Sequence, residues 1–383
     1  MTTCLIQDCQ LYDAPEASRP TSVLIENGQI SAIGAAAGQT ADAVISASDL
    51  LLAPGYIDVH IQGAGGADIL DATEEALVAI AKTCARFGTT SYLATTVFKP
   101  GQDNAHLPVA ADYVGKDLPG ATLLGIHLEG PFISQDKRGM IQPDCLSPAE
   151  SQVLSTIYDL CQGHLRMMTI APELPGAMDL IRSLKDHDVI ASQGHTEATY
   201  EQTLTGFQAG ICHVTHLFNA MTSMHHRAPG PWAAQSETPG ITAQIIPDGV
   251  HVHPAILRQA WGLLGPTRVI AITDGMQALG LPDGFHVYNG INYESKDGAA
   301  RYADGTLIGT SVGLSELVRR LKAFTGCSLH DAIVTATENP AKLLNLHHRK
   351  GAIRTGFDAD LVLLNPDLSV HTTLVGGKVV YQA

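Results

Sequence analysis

Apolar runs recur along the middle of the chain at the spacing of strands that alternate with helices. From residue 54 onward, eight short runs rich in Val, Ile, Leu and Thr predict strands, which we place at 55–60, 90–96, 122–128, 166–171, 189–194, 211–216, 242–246 and 268–273. Between several of them apolar residues return every three to four positions, as in 73–87, which is the period of an amphipathic helix. Near-continuously apolar strands followed by helices predict an α/β fold, a parallel (β/α)8 TIM-like barrel.

Helix-start signals place one further helix in the barrel region. Ser147, Pro148 and Glu150 have the residue types and spacing of an N-cap, a first helical residue and a capping-box partner. Apolar residues at helical spacing follow them. We therefore expect a helix over 147–160.

Both ends of the chain have a different pattern, with short apolar runs broken by turns. Asn27-Gly28 and Gly376-Gly377 are two-residue hairpin signals within such runs. Each end alone is short for an independent core. We therefore expect residues 1–53 and 350–383 to form one small β-sandwich domain built from both termini, with the barrel domain at 54–349. Two unrelated extensions are the alternative.

Composition and charge exclude several classes of protein. Apolar residues make up 45% of the chain, and 37 Gly and 20 Pro in 383 residues are typical of a globular protein. The net charge of −15 argues against a nucleic-acid or anionic-membrane partner. No run of about 18 apolar residues exists and the first basic residue is Arg19, so we expect no membrane span, no signal peptide and a cytoplasmic protein. Seven scattered cysteines predict free thiols.

Histidine is the residue type that points to chemistry, because the chain contains 17 of them. Barrels of this kind carry their active sites at the C-terminal ends of the strands. Polar or titratable residues follow six of the eight predicted strands, namely Asp58, His60 and Gln62; His127 and Glu129; His195; His216; Asp248 and His251; and Asp274. A single histidine in such a position is most often structural, so it is their joint placement that predicts a site.

These residue types suit a divalent metal site with hydrolytic chemistry. Imidazole and carboxylate ligands from separate strands can hold an ion such as Zn²⁺ and leave one position open, and such an ion lowers the pKa of bound water to about 7. Asp274 is the best-placed carboxylate for proton transfer, and His251 can donate a hydrogen bond to a carbonyl oxygen as it becomes an oxyanion. His251 and His253 also have metal-ligand spacing, although Pro254 predicts a turn there.

Short motifs spread over nearly the whole chain carry a family resemblance. They are PGYIDVH (54–60), GIHLEGPF (125–132), GHT (194–196), THLFNAM (215–221), HRAPG (226–230), DGVH (248–251), TDGM (273–276), DGTLIG (304–309), TENPA (337–341) and GAIRTGFDAD (351–360). Together they resemble the N-acetylglucosamine-6-phosphate deacetylases of the amidohydrolase superfamily. The resemblance implies a metal-dependent hydrolase of amino-sugar catabolism that converts N-acetylglucosamine 6-phosphate to glucosamine 6-phosphate and acetate.

The resemblance also implies the roles of the catalytic residues. Glu129, His195 and His216 match the metal ligands of the family, and Asp274 matches its catalytic base and acid. His251 would polarise the acetamide carbonyl together with the metal. We expect one ion per subunit, Zn²⁺ first, with Fe²⁺, Co²⁺ and Mn²⁺ as alternatives that accept the same ligands.

Substrate contacts are implied in the same way. Asn219 and Ala220 would meet the phosphate, and Leu307 and Gly309 match a substrate-lining loop. Arg227 would reach the phosphate bound by the neighbouring subunit, which predicts a homodimer. Its planar guanidinium suits bidentate contact with phosphate on an otherwise acidic protein.

Two positions depart from the family pattern. On the first strand the family has His-x-His or Gln-x-Asn, whereas this chain has His60 and Gln62, so we expect at most a weaker second metal position there. Met140 stands near the position where many relatives have a histidine that contacts the sugar. A lost hydrogen bond to a sugar hydroxyl changes discrimination between epimers. N-acetylgalactosamine 6-phosphate, or another N-acyl sugar phosphate, is therefore an alternative substrate.

Two further interpretations predict other functions. A non-catalytic binding protein on the same barrel would have lost ligands or the proton-transfer residue, which this chain retains. A cyclic-amide hydrolase or deaminase of the superfamily would have no need of Asn219, Ala220 and Arg227 as a phosphate clamp.

Overall fold

The computed structural model describes residues 3–15, 18–34 and 40–383. Residues 1–2, 16–17 and 35–39, which belong to the first predicted terminal segment, lie outside the described residues. The strands, in chain order, are β1 (Thr3–Leu11), β2 (Thr21–Glu26), β3 (Gln29–Ile33), β4 (Ala43–Ser46), β5 (Leu51–Pro54), β6 (Tyr56–Ile61), β7 (Gly63–Ala64), β8 (Ala67–Asp68), β9 (Thr89–Thr96), β10 (Thr122–Glu129), β11 (Leu165–Ile170), β12 (Ile190–Gln193), β13 (His213–Val214), β14 (Thr242–Ile245), β15 (Val269–Ala271), β16 (Gly284–Tyr288), β17 (Ile291–Lys296), β18 (Ala299–Tyr302), β19 (Leu307–Thr310), β20 (Leu361–Leu364), β21 (Val370–Val375) and β22 (Lys378–Gln382).

Helices alternate with the strands through the middle of the chain. They are α1 (Glu74–Arg86), α2 (His106–Tyr113), α3 (Ser151–Cys161), α4 (Ala177–Asp186), α5 (Tyr200–Ala209), α6 (Gly230–Glu237), α7 (Pro254–Leu264), α8 (Leu314–Thr325), α9 (Leu329–Val334) and α10 (Glu338–Leu343). Short 3-10 turns cover Ile69–Asp71, Gln135–Lys137 and Pro143–Cys145.

Eight parallel strands form the barrel, in the order β15-β14-β13-β12-β11-β10-β9-β6. The barrel strands are paired in the order in which they occur in the chain, which is the arrangement that successive β-helix-β units produce. A parallel bridge between Ile61 and Gly275 joins the two edges. Residues of opposite walls, among them Val59, Met167 and Ile270, pack in one buried cluster. The predicted (β/α)8 barrel is confirmed, with its strand ends gathered at one rim.

The two ends of the chain meet in a second sheet. Its order is β22-β21-β20-β5-β1-β2-β3, with β4 also paired to β1. Leu51–Pro54 pairs antiparallel with Leu361–Leu364, so the N-terminal and C-terminal strands are direct neighbours. The expectation that both termini build one β-structure is confirmed, while the boundaries at 53/54 and 349/350 stay predictions.

A four-stranded antiparallel sheet, β16 to β19, is inserted after the last barrel strand. Its three hairpins turn at Asn289-Gly290, Asp297-Gly298 and Asp304-Gly305. A bridge between Gly275 and Thr310 ties β19 to the segment that follows β15. The insert therefore stands directly on the barrel rim.

The helix predicted over 147–160 begins later than expected. α3 starts at Ser151, and Glu150 is its N-cap residue, without a side-chain capping bond. The Ser147 amide instead donates to the carbonyl oxygen of Pro131, at 3.0 Å. This tertiary contact holds Ser147 outside the helix, so the predicted N-cap was wrong.

Two predictions about class can be compared with the described residues. None of the described helices has both the length and the apolar character needed to cross a bilayer. The seven cysteines are free thiols, as predicted, and five of them are buried.

Candidate active site

Three side chains converge at the C-terminal rim of the barrel. Glu129 is the last residue of β10, His195 follows β12 and His216 follows β13. The Nε2 atoms of His195 and His216 lie 3.0 and 2.9 Å from Oε1 of Glu129, and 3.0 Å from each other. All three residues are buried. Among the described residues, this group has the ligand atoms and the mutual distances of a metal site.

The donor set fits a divalent cation. His195 donates from Nδ1 to the carbonyl oxygen of Lys137 at 2.7 Å, so the neutral ring presents the lone pair of Nε2 toward Glu129. A carboxylate and two imidazoles from three strands are ligands that Zn²⁺ and related ions accept. The same residues line a cavity of about 170 Å³, which leaves room for a further ligand.

Left-handed backbone marks the site residues. His195, His216 and Asp274 have φ values of 48°, 28° and 48°, and Phe218 and Ala220 have 77° and 50°. Non-glycine residues seldom adopt this conformation, and where they do, the strained positions cluster at functional sites. The turns aim each side chain from its strand end into the cavity.

Asp274 and His60 complete a buried charged cluster beside the three ligands. His60 Nε2 lies 3.2 Å from Oδ1 of Asp274 and 3.6 Å from Oε1 of Glu129. Burial opposes protonation of His60, but the two carboxylates outweigh it and raise the pKa of this imidazole to about 9. Burial likewise opposes ionisation of Glu129 and Asp274, yet the charge of His60 helps to lower the pKa of both carboxyl groups. Both groups are therefore carboxylates, and His60 is the protein cation that lies beside them.

The other predicted second-metal residue, Gln62, takes part as a hydrogen-bond donor. Its Nε2 lies 3.1 Å from Oδ1 of Asp274 and 3.4 Å from Oε2 of Glu129. The amide therefore presents its NH₂ group, which is not a metal ligand, to the two carboxylates. His60 and Gln62 lie behind the cavity, since neither is among the residues that line it.

Asp58 and Gln244 support the site in ways that the motifs did not indicate. Asp58 accepts hydrogen bonds from the His60 amide at 3.2 Å and from the Thr273 hydroxyl at 2.5 Å, which joins the first barrel strand to the residue before Asp274. Gln244 Oε1 accepts from Nδ1 of His60 at 2.9 Å and from the His216 amide at 3.3 Å. The sequence signal that could have identified Gln244 is its position as a polar residue within the apolar strand predicted at 242–246.

His251 lies on the wall of the same cavity, held by Asp248. Its Nδ1 lies 2.6 Å from Oδ2 of Asp248. His253 is turned away to cap α7, where its Nδ1 accepts from the Ala255 amide at 3.1 Å. The structure does not bring His253 to the metal cluster.

The cavity gathers most of the predicted substrate residues and omits one. Its lining comprises Glu129, Gly139, Met140, His195, His216, Asn219, Ala220, His251, Asp274, Leu307, Ile308 and Gly309. Arg227 does not line it; this residue is exposed, and its guanidinium contacts the neighbouring His226 ring at 2.7 Å.

Comparisons with known proteins identify the family of this chain. An N-acetylglucosamine-6-phosphate deacetylase of Bacillus subtilis (strain 168) is 35% identical over 98% of this chain and 97% of its own length. An N-acetylgalactosamine-6-phosphate deacetylase of Escherichia coli O157:H7 is 34% identical over 86% of this chain and 87% of its own length.

A solved structure of a similarly named enzyme has the same fold as this chain. It is a variant of the N-acetyl-D-glucosamine-6-phosphate deacetylase of Mycobacterium smegmatis in complex with N-acetyl-D-glucosamine-6-phosphate, which aligns with a TM-score of 0.92 and 33% identity over 100% of both chains. The family model described as "Amidohydrolase family" matches residues 51–380. With this match over most of its length, the chain belongs to the amidohydrolase family.

Proposed function

We propose that the protein is a metal-dependent deacetylase that converts N-acetylglucosamine 6-phosphate to glucosamine 6-phosphate and acetate. The observation that carries this proposal is the convergence of Glu129, His195 and His216 beside Asp274 in one cavity. The names of the similar bacterial proteins supply the substrate class.

Glu129, His195 and His216 would hold a single divalent cation, with Zn²⁺ as our first choice and Fe²⁺, Co²⁺ or Mn²⁺ as alternatives. When bound, such an ion polarises a carbonyl group and lowers the pKa of water to about 7. His60 and Gln62 do not line the cavity, which supports one ion per chain rather than two.

The proton transfers belong to Asp274. Burial disfavours the charged form of Asp274, but the charge of His60 helps to lower the pKa of the Asp274 carboxyl group. Asp274 is therefore a carboxylate at neutral pH and can take the proton of the attacking water. It then returns that proton to the sugar nitrogen as the C–N bond breaks. His251 donates a hydrogen bond to the acetamide oxygen, where negative charge develops.

The phosphate would sit against the loop that follows His216. Positive φ values alternate along it at His216, Phe218 and Ala220. The Leu217 and Asn219 amides donate to the carbonyl oxygens of Gln244 and His216 at 2.8 and 2.9 Å, so the phosphate contact would come from the cavity-lining residues Asn219 and Ala220 at the end of the loop. Asn219 Nδ2 contacts the His216 carbonyl at 3.2 Å, which keeps this loop compact.

Arg227 would complete the phosphate site of a second copy, in a homodimer. It is exposed and lies outside its own cavity. Met224, an exposed apolar residue three positions before Arg227, lines a cavity of about 330 Å³ together with the exposed Ile256 of α7. Exposed apolar side chains grouped in this way suit contact between two copies.

The galacto epimer is a second candidate substrate, favoured by a specific observation. Met140 lines the cavity and offers no hydrogen bond to a sugar hydroxyl, and one relative is named for N-acetylgalactosamine 6-phosphate. A site without that polar contact discriminates between epimers less strongly.

Acetate release from three compounds tests the proposal. Purified protein is stripped with a chelator, reloaded with Zn²⁺ and given N-acetylglucosamine 6-phosphate, its galacto epimer or unphosphorylated N-acetylglucosamine. We expect the gluco phosphate to have the highest kcat/KM, and both the stripped protein and Asp274→Asn to lose at least about 10²-fold in kcat. Asp103→Asn, which changes an exposed carboxylate in the same way, serves as the control.

Two outcomes would contradict parts of this assignment. Equal or reversed preference between the epimers would overturn the gluco substrate. Absence of acetate from every sugar phosphate, with metal bound, would overturn deacetylation itself and favour a binding protein.

A further inference from the structure

Asp248 and His251 form a buried ionisable pair beside the metal cluster. Oδ2 of Asp248 lies 2.6 Å from Nδ1 of His251, and the two side chains are only 1% and 3% exposed. The second oxygen, Oδ1, accepts from the backbone amides of Val250 at 2.9 Å and His251 at 2.8 Å. Both carboxylate oxygens are therefore used within one turn.

This geometry fixes which ring nitrogen carries a proton. A carboxylate only accepts hydrogen bonds, so Nδ1 of His251 must be the donor to Asp248. A neutral ring then bears no proton on Nε2 and cannot donate from that atom. The ring becomes a donor at Nε2 only when it carries both protons.

We propose that Asp248 is a positioning residue that holds the Nδ1 proton of His251 and compensates the charge of the doubly protonated ring, from which Nε2 donates to the reacting carbonyl oxygen. The proposal deepens the proposed function and rests on it for the carbonyl contact. Hydrogen bonds from a charged donor are roughly twice as strong as neutral ones, and they matter most in a cavity with little water.

The pair is anchored from the side away from the cavity. Arg320 of α8 donates from Nη1 to the carbonyl oxygen of Asp248 at 3.0 Å, and Glu316 holds Arg320 at 2.8 Å. On the cavity side, the ionisable groups that share its lining with His251 are Glu129, His195, His216 and Asp274, and His253 lines an adjoining cavity of about 330 Å³ with it. Asp248 is the carboxylate in direct contact with the His251 ring, and Arg320 holds its backbone from the opposite side.

Asp248→Asn separates this role from a structural role in the turn. The asparagine oxygen can still accept from the Val250 and His251 amides, so the turn is retained. Its NH₂ group replaces the oxygen that faced Nδ1, and two donors cannot face each other. The neutral ring must then accept at Nδ1 and carry its proton on Nε2.

Nitrogen NMR of histidine-labelled, Zn²⁺-loaded protein measures this directly, without turnover. The His251 signals are assigned by their loss in His251→Gln. We expect both ring nitrogens to be protonated in the wild type, and Nδ1 to be unprotonated in the neutral ring of Asp248→Asn. Asp367→Asn, an exposed aspartate with a similar turn to Ser369, is the matched control and should leave the signals unchanged. A wild-type ring with either nitrogen unprotonated would overturn the proposal.

Kinetics supply the second arm. Replacing a charged donor by a neutral one should lower kcat of Asp248→Asn about tenfold with little change in KM. His251→Gln should lose about 10²–10³-fold. The double variant should match His251→Gln, because Asp248 acts only through that ring; additive losses would instead show a role in the turn and overturn the proposal. If the wild type releases no acetate, the proposed function fails, and the NMR result still decides the position of the proton.

Discussion

Asp68 is a buried carboxyl group that the proposed reaction does not use. Oδ1 accepts from the Leu70 amide at 2.9 Å, whereas Oδ2 has no hydrogen-bond partner within the described part of the chain. Burial disfavours the charged form and raises the pKa of Asp68 from 3.8 to about 7, with Asp71 adding to the shift. The folded protein therefore keeps a proton here that an unfolded chain would release.

Asp68→Asn should remove a pH dependence of stability. Between the unfolded pKa of 3.8 and the folded pKa of about 7, the folded state binds more protons than the unfolded state, so the free energy of unfolding falls as pH rises. Asparagine stays neutral and can still accept from Leu70. We expect the variant to equal the wild type near pH 4 and to exceed it by roughly 2–4 kcal/mol near pH 8.

Urea unfolding across this pH range measures the effect, with exposed Asp103→Asn as the control. The interpretation fails if Asp68→Asn shows the same stability difference from the wild type at both ends of the range.

The sequence could predict which residues stand at the rim, because barrel strands end together. Glu129, His195, His216 and Asp274 each follow a predicted strand. The mutual orientation of these side chains could not be predicted in this way. His195, His216 and Asp274 have left-handed backbone, and none of them is a glycine or asparagine that would predict this conformation from the sequence. Asp58 acts through a partner more than 200 positions away, which local patterns do not reveal.

At the scale of elements, β19 is the strand that fixes the backbone beside Asp274. The Thr310 amide donates to the Asp274 carbonyl at 2.8 Å, and the Thr310 hydroxyl donates to the Thr273 carbonyl at 2.7 Å. Gly309 lies against this segment with φ of +139°, and a Cβ there would overlap the Asp274 carbonyl oxygen. Only glycine lets the two backbones approach this closely.

Gly309→Ala should therefore displace Asp274 and lower activity. A displacement of about 1 Å in a reacting group reduces the rate about 10²-fold, and we expect a fall of that order in kcat. Gly305 is the matched control, because it also has positive φ on the same hairpin but no atom within 4 Å of a Cβ. Steady-state kinetics and thermal unfolding of both variants separate the two effects. Equal kcat losses in both would contradict the displacement.

Elements with strong local signals were predictable, and those set by distant contacts were not. Asn27-Gly28 and Gly376-Gly377 lie at hairpin turns, as the sequence predicts. The strand predicted at 211–216 is reduced to His213–Val214, because the backbone turns at His216 to aim its ring. Such irregularities are imposed by the site and override local preference.

At the scale of the whole molecule, the proposed homodimer makes each active site depend on two chains. A chain with Arg227→Ala cannot supply the guanidinium to the active site of its partner. A chain with Asp274→Asn lacks the proton-transfer residue of its own active site. In a mixed dimer, the Asp274 of one chain and the Arg227 of the other complete one of the two sites. Refolding the two variants together at equal amounts should restore about a quarter of wild-type activity, as random pairing in a twofold dimer predicts.

Acetate release by the mixture, compared with the sum of the separate variants, measures this complementation. Sedimentation of the wild type gives the oligomeric state independently. A mixture no more active than the sum of its parts would contradict the shared site.

The architecture of the whole chain followed from its patterns, because strand spacing predicts the barrel and shortness of both ends predicts their association. What the pattern left undetermined is the place of the inserted sheet. The attachment of β16 to β19 to the rim rests on the pairing of Gly275 with Thr310, which are 35 positions apart in the chain.

The pairing of Leu51–Pro54 with Leu361–Leu364 has a consequence for how the protein is made. The two strands are about 310 residues apart in the chain. At roughly 5–20 residues per second, a ribosome needs about 15–60 s to deliver the second strand after the first. During that interval the edge of β5 that will pair with β20 has no partner in the nascent chain. Unpaired strand edges can pair with strands of other chains. Synthesis of this protein therefore has a vulnerable period that ends only when its last strands emerge.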